Sequence, residues 1–198
     1  MPKSTFFNLP DNKKKKIIET TYDIFIEEDY ENVNIRNFTN RAGISIGSFY
    51  QYFEDKDDLY LYLMSEIEKK IIKRQKEKTG FYLTNRTKVP IEEICTPIEI
   101  EFNRTWYKVP IGVMMKFYFG KYCRELNESI YDELVELKRK NRLVDNVDIN
   151  FAFYMYTTSM FNILIYFREN NITVETEKNK IKNNFYMNWF LKNIIISN

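Results

Sequence analysis

Residues 43–53 read GISIGSFYQYF, and the fold turns on how this stretch is taken. Ser45 has the side chain of a helix N-cap, and Phe49 and Phe53 then fall i, i+4 on one face of a short helix, which must pack inward. Gly47, Ser48, Tyr50 and Gln51 are left on the opposite face, and Tyr50, Gln51 and Tyr52 are expected to meet water. Immediately upstream, Ile35, Phe38 and Ala42 recur at i, i+3, i+7 on another short helix, with Asn34 as its N-cap and Gly43 at its C-terminal end.

Working outward, one apolar stripe of Ile17, Ile18, Thr21, Tyr22, Phe25 and Ile26 marks a first helix from about Asp11 to Asp29. Downstream, Asp55 caps a long fourth helix with Asp58 at its third position and Leu59, Leu63, Ile67 and Ile71 along one side, ending near Lys78 before Thr79-Gly80. Thr96-Pro97-Ile98-Glu99 joins a cap, a first-turn proline and a capping-box acid, which begins a helix or kinks one. Further helices are expected over Pro110 to Arg124, Asn127 to Asn141, Asp148 to Arg168 and Glu175 to Ile195. The reading is all-α, with about nine helices and prolines only at positions 2, 10, 90, 97 and 110.

Composition narrows the chemistry. The chain has 198 residues, 44% of them apolar, which is enough for one large or two small domains with a core. Lys and Arg number 30 against 28 Asp and Glu, so attraction to nucleic acid has to come from local arrangement, not from a global field. There is no histidine, and Cys95 and Cys123 stand far apart, so zinc sites, Cys-His nucleophiles and Ser-His-Asp triads lack their parts. An enzyme is not expected, nor is a metal or cofactor. The start of the chain lacks the apolar core of a secretory signal, and a cytoplasmic setting is expected. Residues 149–167, INFAFYMYTTSMFNILIYF, are uncharged, but their Asn, Thr, Ser and Tyr content argues for a buried helix over a membrane span.

Between Asn32 and Phe53 there is no carboxylate, although 22 residues at the chain's average acid content would hold about three. Arg36 and Arg41 are the only charges. A surface that lies against phosphates cannot tolerate Asp or Glu, whereas hydroxyls, amides and backbone N–H groups bond phosphates and base edges. Tyr50 and Tyr52 can donate to phosphate oxygens, Ser48 and Gln51 can reach bases, and Gly47 lets the helix start approach the backbone closely. Two short helices joined at a glycine turn form the helix-turn-helix plan, whose second helix enters the major groove. An acid-free stretch of this length also arises by chance or at a protein interface. Lys13 to Lys16 fit either a solvated helix end or an arm beside the DNA flank.

The ordered run from Ile17 to Ile67, with YENVNIRNFTNRAGISIGSFYQYFEDKDDLYLYL at its centre, resembles the DNA-binding domain of the TetR family of bacterial repressors. The resemblance covers about the first third of the chain. It implies that Arg36 contacts base or phosphate, that Ser45, Ile46, Gly47, Ser48, Tyr50, Gln51 and Tyr52 belong to the recognition helix, and that Lys56 binds phosphate. Ile46 departs from the family pattern, where many members carry a lysine to phosphate; packing or contact with a thymine methyl takes its place.

The resemblance further implies a DNA-binding domain over residues 1–54 and an effector-binding and dimerisation domain over residues 55–198. The last two helices would pair with a second subunit as a four-helix bundle, giving a homodimer for a palindromic operator. Family members bind a small effector among the middle helices, where Phe102, Trp106, Tyr107, Phe117, Tyr118, Phe119 and Tyr122 lie; Trp106, Phe117 and Tyr118 are the candidates for an apolar or amphipathic ligand. Ordinary core filling accounts for each of these aromatics taken singly. Two functions stay open, a ligand-responsive repressor and an effector-independent architectural DNA-binding protein of the same fold.

Overall fold

The computed structural model describes residues 1–83, 89–185 and 190–196. Among them are eleven α-helices: α1 (Ser4–Phe7), α2 (Asp11–Glu27), α3 (Ile35–Ala42), α4 (Ile46–Tyr52), α5 (Lys56–Thr79), α6 (Pro97–Arg104), α7 (Ile111–Tyr118), α8 (Arg124–Arg139), α9 (Ile149–Glu169), α10 (Glu175–Asn183) and α11 (Leu191–Ile194). No β-strand occurs among the described residues; Leu143 and Ile195 form an isolated bridge. The fold is all-α. Two helices exceed the expected nine. One is α1, a single turn too short to show periodicity, and the other arises because the α-helix expected over Glu175 to Ile195 is described as two, α10 ending at Asn183 and α11 beginning at Leu191.

The chain forms two compact units, Met1–Ile71 with Pro90–Cys123, and Ile72–Val89 with Arg124–Asn198. In the first, every expected cap is present. Asn34 accepts from the N–H groups of Arg36 and Asn37, Ser45 accepts from Ser48, Asp55 accepts from Asp58 at 2.7 Å, and Thr96 with Glu99 completes a capping box. Gly43 sits at φ 69°, the left-handed conformation that ends α3 and turns the chain into α4. Phe38, Phe49 and Phe53 are buried and locked edge to face or tilted, with Phe38 to Phe49 at 5.7 Å and Phe49 to Phe53 at 5.6 Å. Each such ring buries enough surface to stabilise the fold by about 1.5–3 kcal/mol, so α3 and α4 are fixed at their meeting angle by core packing.

In the second unit, Glu133 of α8 is buried, and its carboxylate accepts the backbone N–H groups of Tyr82 at 3.0 Å and Leu83 at 2.6 Å, with Lys76 Nζ at 3.4 Å. The charge is therefore partnered where it leaves water. On α9, Thr157 and Thr158 turn their hydroxyls back onto the carbonyls of Phe153 and Tyr154, which lets polar residues sit in an otherwise apolar helix. Among the described residues no helix is long and apolar enough to cross a membrane.

Candidate nucleic-acid interface

The outward face of α4 carries Ser45, Ile46, Gly47, Tyr50 and Gln51, all exposed, with Ser48 half-buried beside them. Ile46 is 42% exposed and Tyr50 47%, large apolar surface that no packing inside this unit covers. The Ser45 and Ser48 hydroxyls lie 2.9 Å apart while Ser45 also caps the Ser48 N–H at 3.0 Å, so both are held in place with acceptor capacity to spare. Gly47 is required by nothing in the fold. A Cβ there would meet only the Ser45 Oγ, at 3.8 Å, and its φ is not in the left-handed region.

The nearby charges are arranged to leave this face without an acid. Arg41 grips Glu27 in a two-pronged pair at 2.7 and 3.1 Å, which lowers the Glu27 pKa and raises that of Arg41. Asn37 holds Glu28 at 3.0 Å. Arg36 is exposed at the start of α3.

Two expected contact residues are placed differently. Tyr52 was expected to meet water, yet it is 6% exposed, because α1 folds over it: the Phe6 ring lies 6.4 Å from the Tyr52 ring, and Lys13 donates to the Tyr52 hydroxyl at 3.3 Å. Lys56 was expected to point at phosphate. Its ammonium instead lies 2.8, 3.2 and 3.2 Å from the carbonyls of Tyr30, Glu31 and Val33, an acceptor for each of its three hydrogens, and 4.9 Å above the Tyr30 ring. It ties the turn between α2 and α3 to the start of α5.

Sequence reading missed the ring of partners around that start. Glu54 pairs with Lys121 at 2.8 Å and Asp57 with Lys116 at 2.5 Å, which lowers the Glu54 pKa and raises those of both lysines. Asp58 is buried, which works to raise its pKa, but bonds from the Met1 amino group, the Tyr122 hydroxyl and the Glu54 N–H outweigh burial and hold it below the usual carboxylate value. No local pattern at positions 116 to 122 announces these partners.

The expected effector residues are packed. Trp106 lies parallel to Tyr60 at 6.2 Å and edge-on to Phe117 at 5.1 Å; both Trp106 and Phe117 are buried, while Tyr118, 6.2 Å from Trp106, is half-buried. A cleft of about 160 Å³ is lined by Phe25, Tyr30, Thr105 and Val109 with Glu28 and Lys108 among the polar groups, and by none of Trp106, Phe117 and Tyr118.

This fold and this surface define a helix-turn-helix protein whose second helix, α4, is exposed and acid-free on its outer face. Residues 17–63 match the family model of bacterial regulatory proteins of the tetR family. The chain is 30% identical over 67 residues to the HTH-type transcriptional regulator PksA of Bacillus subtilis (strain 168), covering 34% of this chain but only 33% of that protein. It is 22% identical over 172 residues to the HTH-type transcriptional regulator SAB2452 of Staphylococcus aureus (strain bovine RF122 / ET3-1), covering 86% of this chain and 90% of that one. In three dimensions it is similar to the fatty acid degradation regulator FadR from Bacillus halodurans, with a TM-score of 0.56 and 14% identity over 90% of this chain and 97% of that one. Residues 17–63 are thus similar to the DNA-binding domain of tetR-family regulators, and most of the chain is similar to an HTH-type transcriptional regulator.

Proposed function

We propose that the protein is a ligand-responsive repressor that binds a palindromic operator as a homodimer in the cytoplasm and is released by a small apolar or amphipathic effector. The observation that carries the DNA contact is the α4 face: exposed hydroxyls, an amide and a tyrosine around a glycine that folding does not need. Arg36, Ser45, Ile46, Gly47, Ser48, Tyr50 and Gln51 form the contact set. Tyr52 and Lys56 support it from behind. Functionally, residues 1–54 are the DNA-binding part and residues 55–198 the part for effector and dimer.

Dimerisation is supported by the outer side of α9, where Phe151 is 64% and Tyr154 61% exposed, three residues apart on one helix face. A second copy laid on this face would give the two-fold symmetry that a palindrome matches. The effector would enter among the middle helices near Trp106, Phe117 and Tyr118 and displace α5, to whose start Lys116 and Lys121 are tied. One observation favours the second reading, an architectural protein without effector. Trp106 is closed between Tyr60 and Phe117, and the cleft lined by Phe25, Tyr30, Thr105 and Val109 is smaller than the roughly 300–1,000 Å³ of ordinary ligand sites.

Linkage separates the two. A lipophilic compound set screened by thermal shift supplies binders, and titration of a bound duplex reads their effect on DNA. Under the repressor reading a binder weakens DNA affinity by about 5- to 150-fold, and DNA weakens the binder by the same factor. Binders that leave DNA affinity unchanged establish the architectural reading instead.

A further inference from the structure

We infer that Lys3 and Thr5 are positioning residues for DNA recognition, holding the last turn of α4 from behind so that Tyr50 and Gln51 meet the groove in one geometry. The inference rests on α4 being the recognition helix. A helix ends with carbonyls that have no partner within it, and α4 has only seven residues over which to spread that deficit. The Phe49 carbonyl accepts from the Phe53 N–H at 2.9 Å, which leaves those of Tyr50, Gln51 and Tyr52. The N-terminal segment takes all three. Lys3 Nζ donates to the Tyr50 carbonyl at 2.7 Å, Thr5 Oγ1 donates to the Gln51 carbonyl, and the Lys3 backbone N–H donates to the Tyr52 carbonyl at 2.8 Å.

The match is one donor to each carbonyl, and two of the three, those of Tyr50 and Gln51, belong to residues whose side chains lie on the outer face. The Lys3 cation also lies at the negative end of the α4 dipole. Phe6 anchors the segment, with its ring 4.9 Å from Phe53 and 5.6 Å from Tyr62. An isolated helix of this length is unstable in water, so its last turn depends on such outside bonds. Neither Lys3 nor Thr5 need touch DNA. Loss of their bonds would let Gln51 wander among rotamers and backbone positions, which lowers discrimination between bases more than it lowers attraction to phosphate.

The test uses the full chain with Thr5→Val, Lys3→Met and Lys3→Arg, the last keeping both charge and donors. Two measurements are made: hydrogen exchange of the α4 amides without DNA, and affinity for random duplex and for a duplex enriched by the wild type from a random library. Thr5→Val removes a donor without altering charge, so it should speed exchange at Tyr52 and Phe53. It should weaken the enriched duplex about fivefold, the factor for one ordinary hydrogen bond. Random duplex should change less than twofold, with an unaltered salt slope. Lys3→Met should behave likewise in exchange, and Lys3→Arg should restore it. Wild-type exchange in Thr5→Val, or equal losses on both duplexes, overturns the inference. If the wild type enriches no sequence, the recognition role of α4 fails and this inference with it, while the exchange data still show whether the segment holds the helix.

Discussion

Replacing Gly47 with alanine should make the protein more stable and a poorer DNA binder. The residue is exposed in the first turn of α4, its backbone is not left-handed, and a Cβ would meet nothing nearer than the Ser45 hydroxyl at 3.8 Å. Glycine in a helix is less stable than alanine by roughly 0.5–1 kcal/mol, because it loses more conformational freedom on folding. For a chain of this length that gain corresponds to a rise in Tm of about 1–4 °C. If the helix start approaches the DNA backbone here, the added methyl sits where two surfaces meet. Overpacking of that kind costs about 1–3 kcal/mol, or roughly 5- to 150-fold in affinity. Thermal unfolding reads the first effect and titration of a selected duplex at fixed salt reads the second. Opposite signs exclude a folding defect as the cause. A variant that is more stable and binds DNA as the wild type does would refute the placement of Gly47 against DNA.

Other predictions concern stability, assembly and regulation. Asp58→Asn removes the carboxylate that accepts from Glu54 at 3.0 Å and from Tyr122, and should destabilise by about 2–4 kcal/mol at pH 7 in urea unfolding. Because the folded Asp58 is held below its ordinary value of 3.8, its contribution is present above about pH 4 and is lost as pH falls through the lower folded value. The gap between wild type and Asp58→Asn should therefore stay constant above about pH 4 and narrow as pH falls below it. Phe151→Glu combined with Tyr154→Glu should convert a two-subunit species at micromolar concentration to one subunit in sedimentation equilibrium, and should weaken binding to a palindrome far more than to a half-site.

What was legible in the sequence was local. Asn34, Ser45, Asp55 and Thr96 cap their helices because a side-chain oxygen two or three residues from a free N–H needs no distant partner. Gly43 likewise ends α3 through its own backbone freedom. The faces of Phe38, Phe49 and Phe53 followed from period alone. Tyr52 and Lys56 escaped the reading because their surroundings come from far along the chain: Phe6 from α1 covers the ring, and the carbonyls of Tyr30, Glu31 and Val33 collect the ammonium. The same holds for Lys116 and Lys121, which meet Asp57 and Glu54 across about sixty residues. Helix period places a residue on a face, but packing alone decides whether another segment covers that face. The aromatic content around Trp106 was visible, whereas its closure on Tyr60 depended on where α5 lies.

The central claim, that α4 reads base sequence, is tested most directly by enriching duplexes from a random library with the wild type and with Gln51→Ala in parallel. The wild type should enrich two inverted half-sites with centres about one helical turn apart. Gln51→Ala should keep that spacing and the salt slope while relaxing preference at one position of each half, an adenine if the amide bonds as glutamine commonly does. Identical enriched sequences from both proteins, with equal preference at every position, would contradict it.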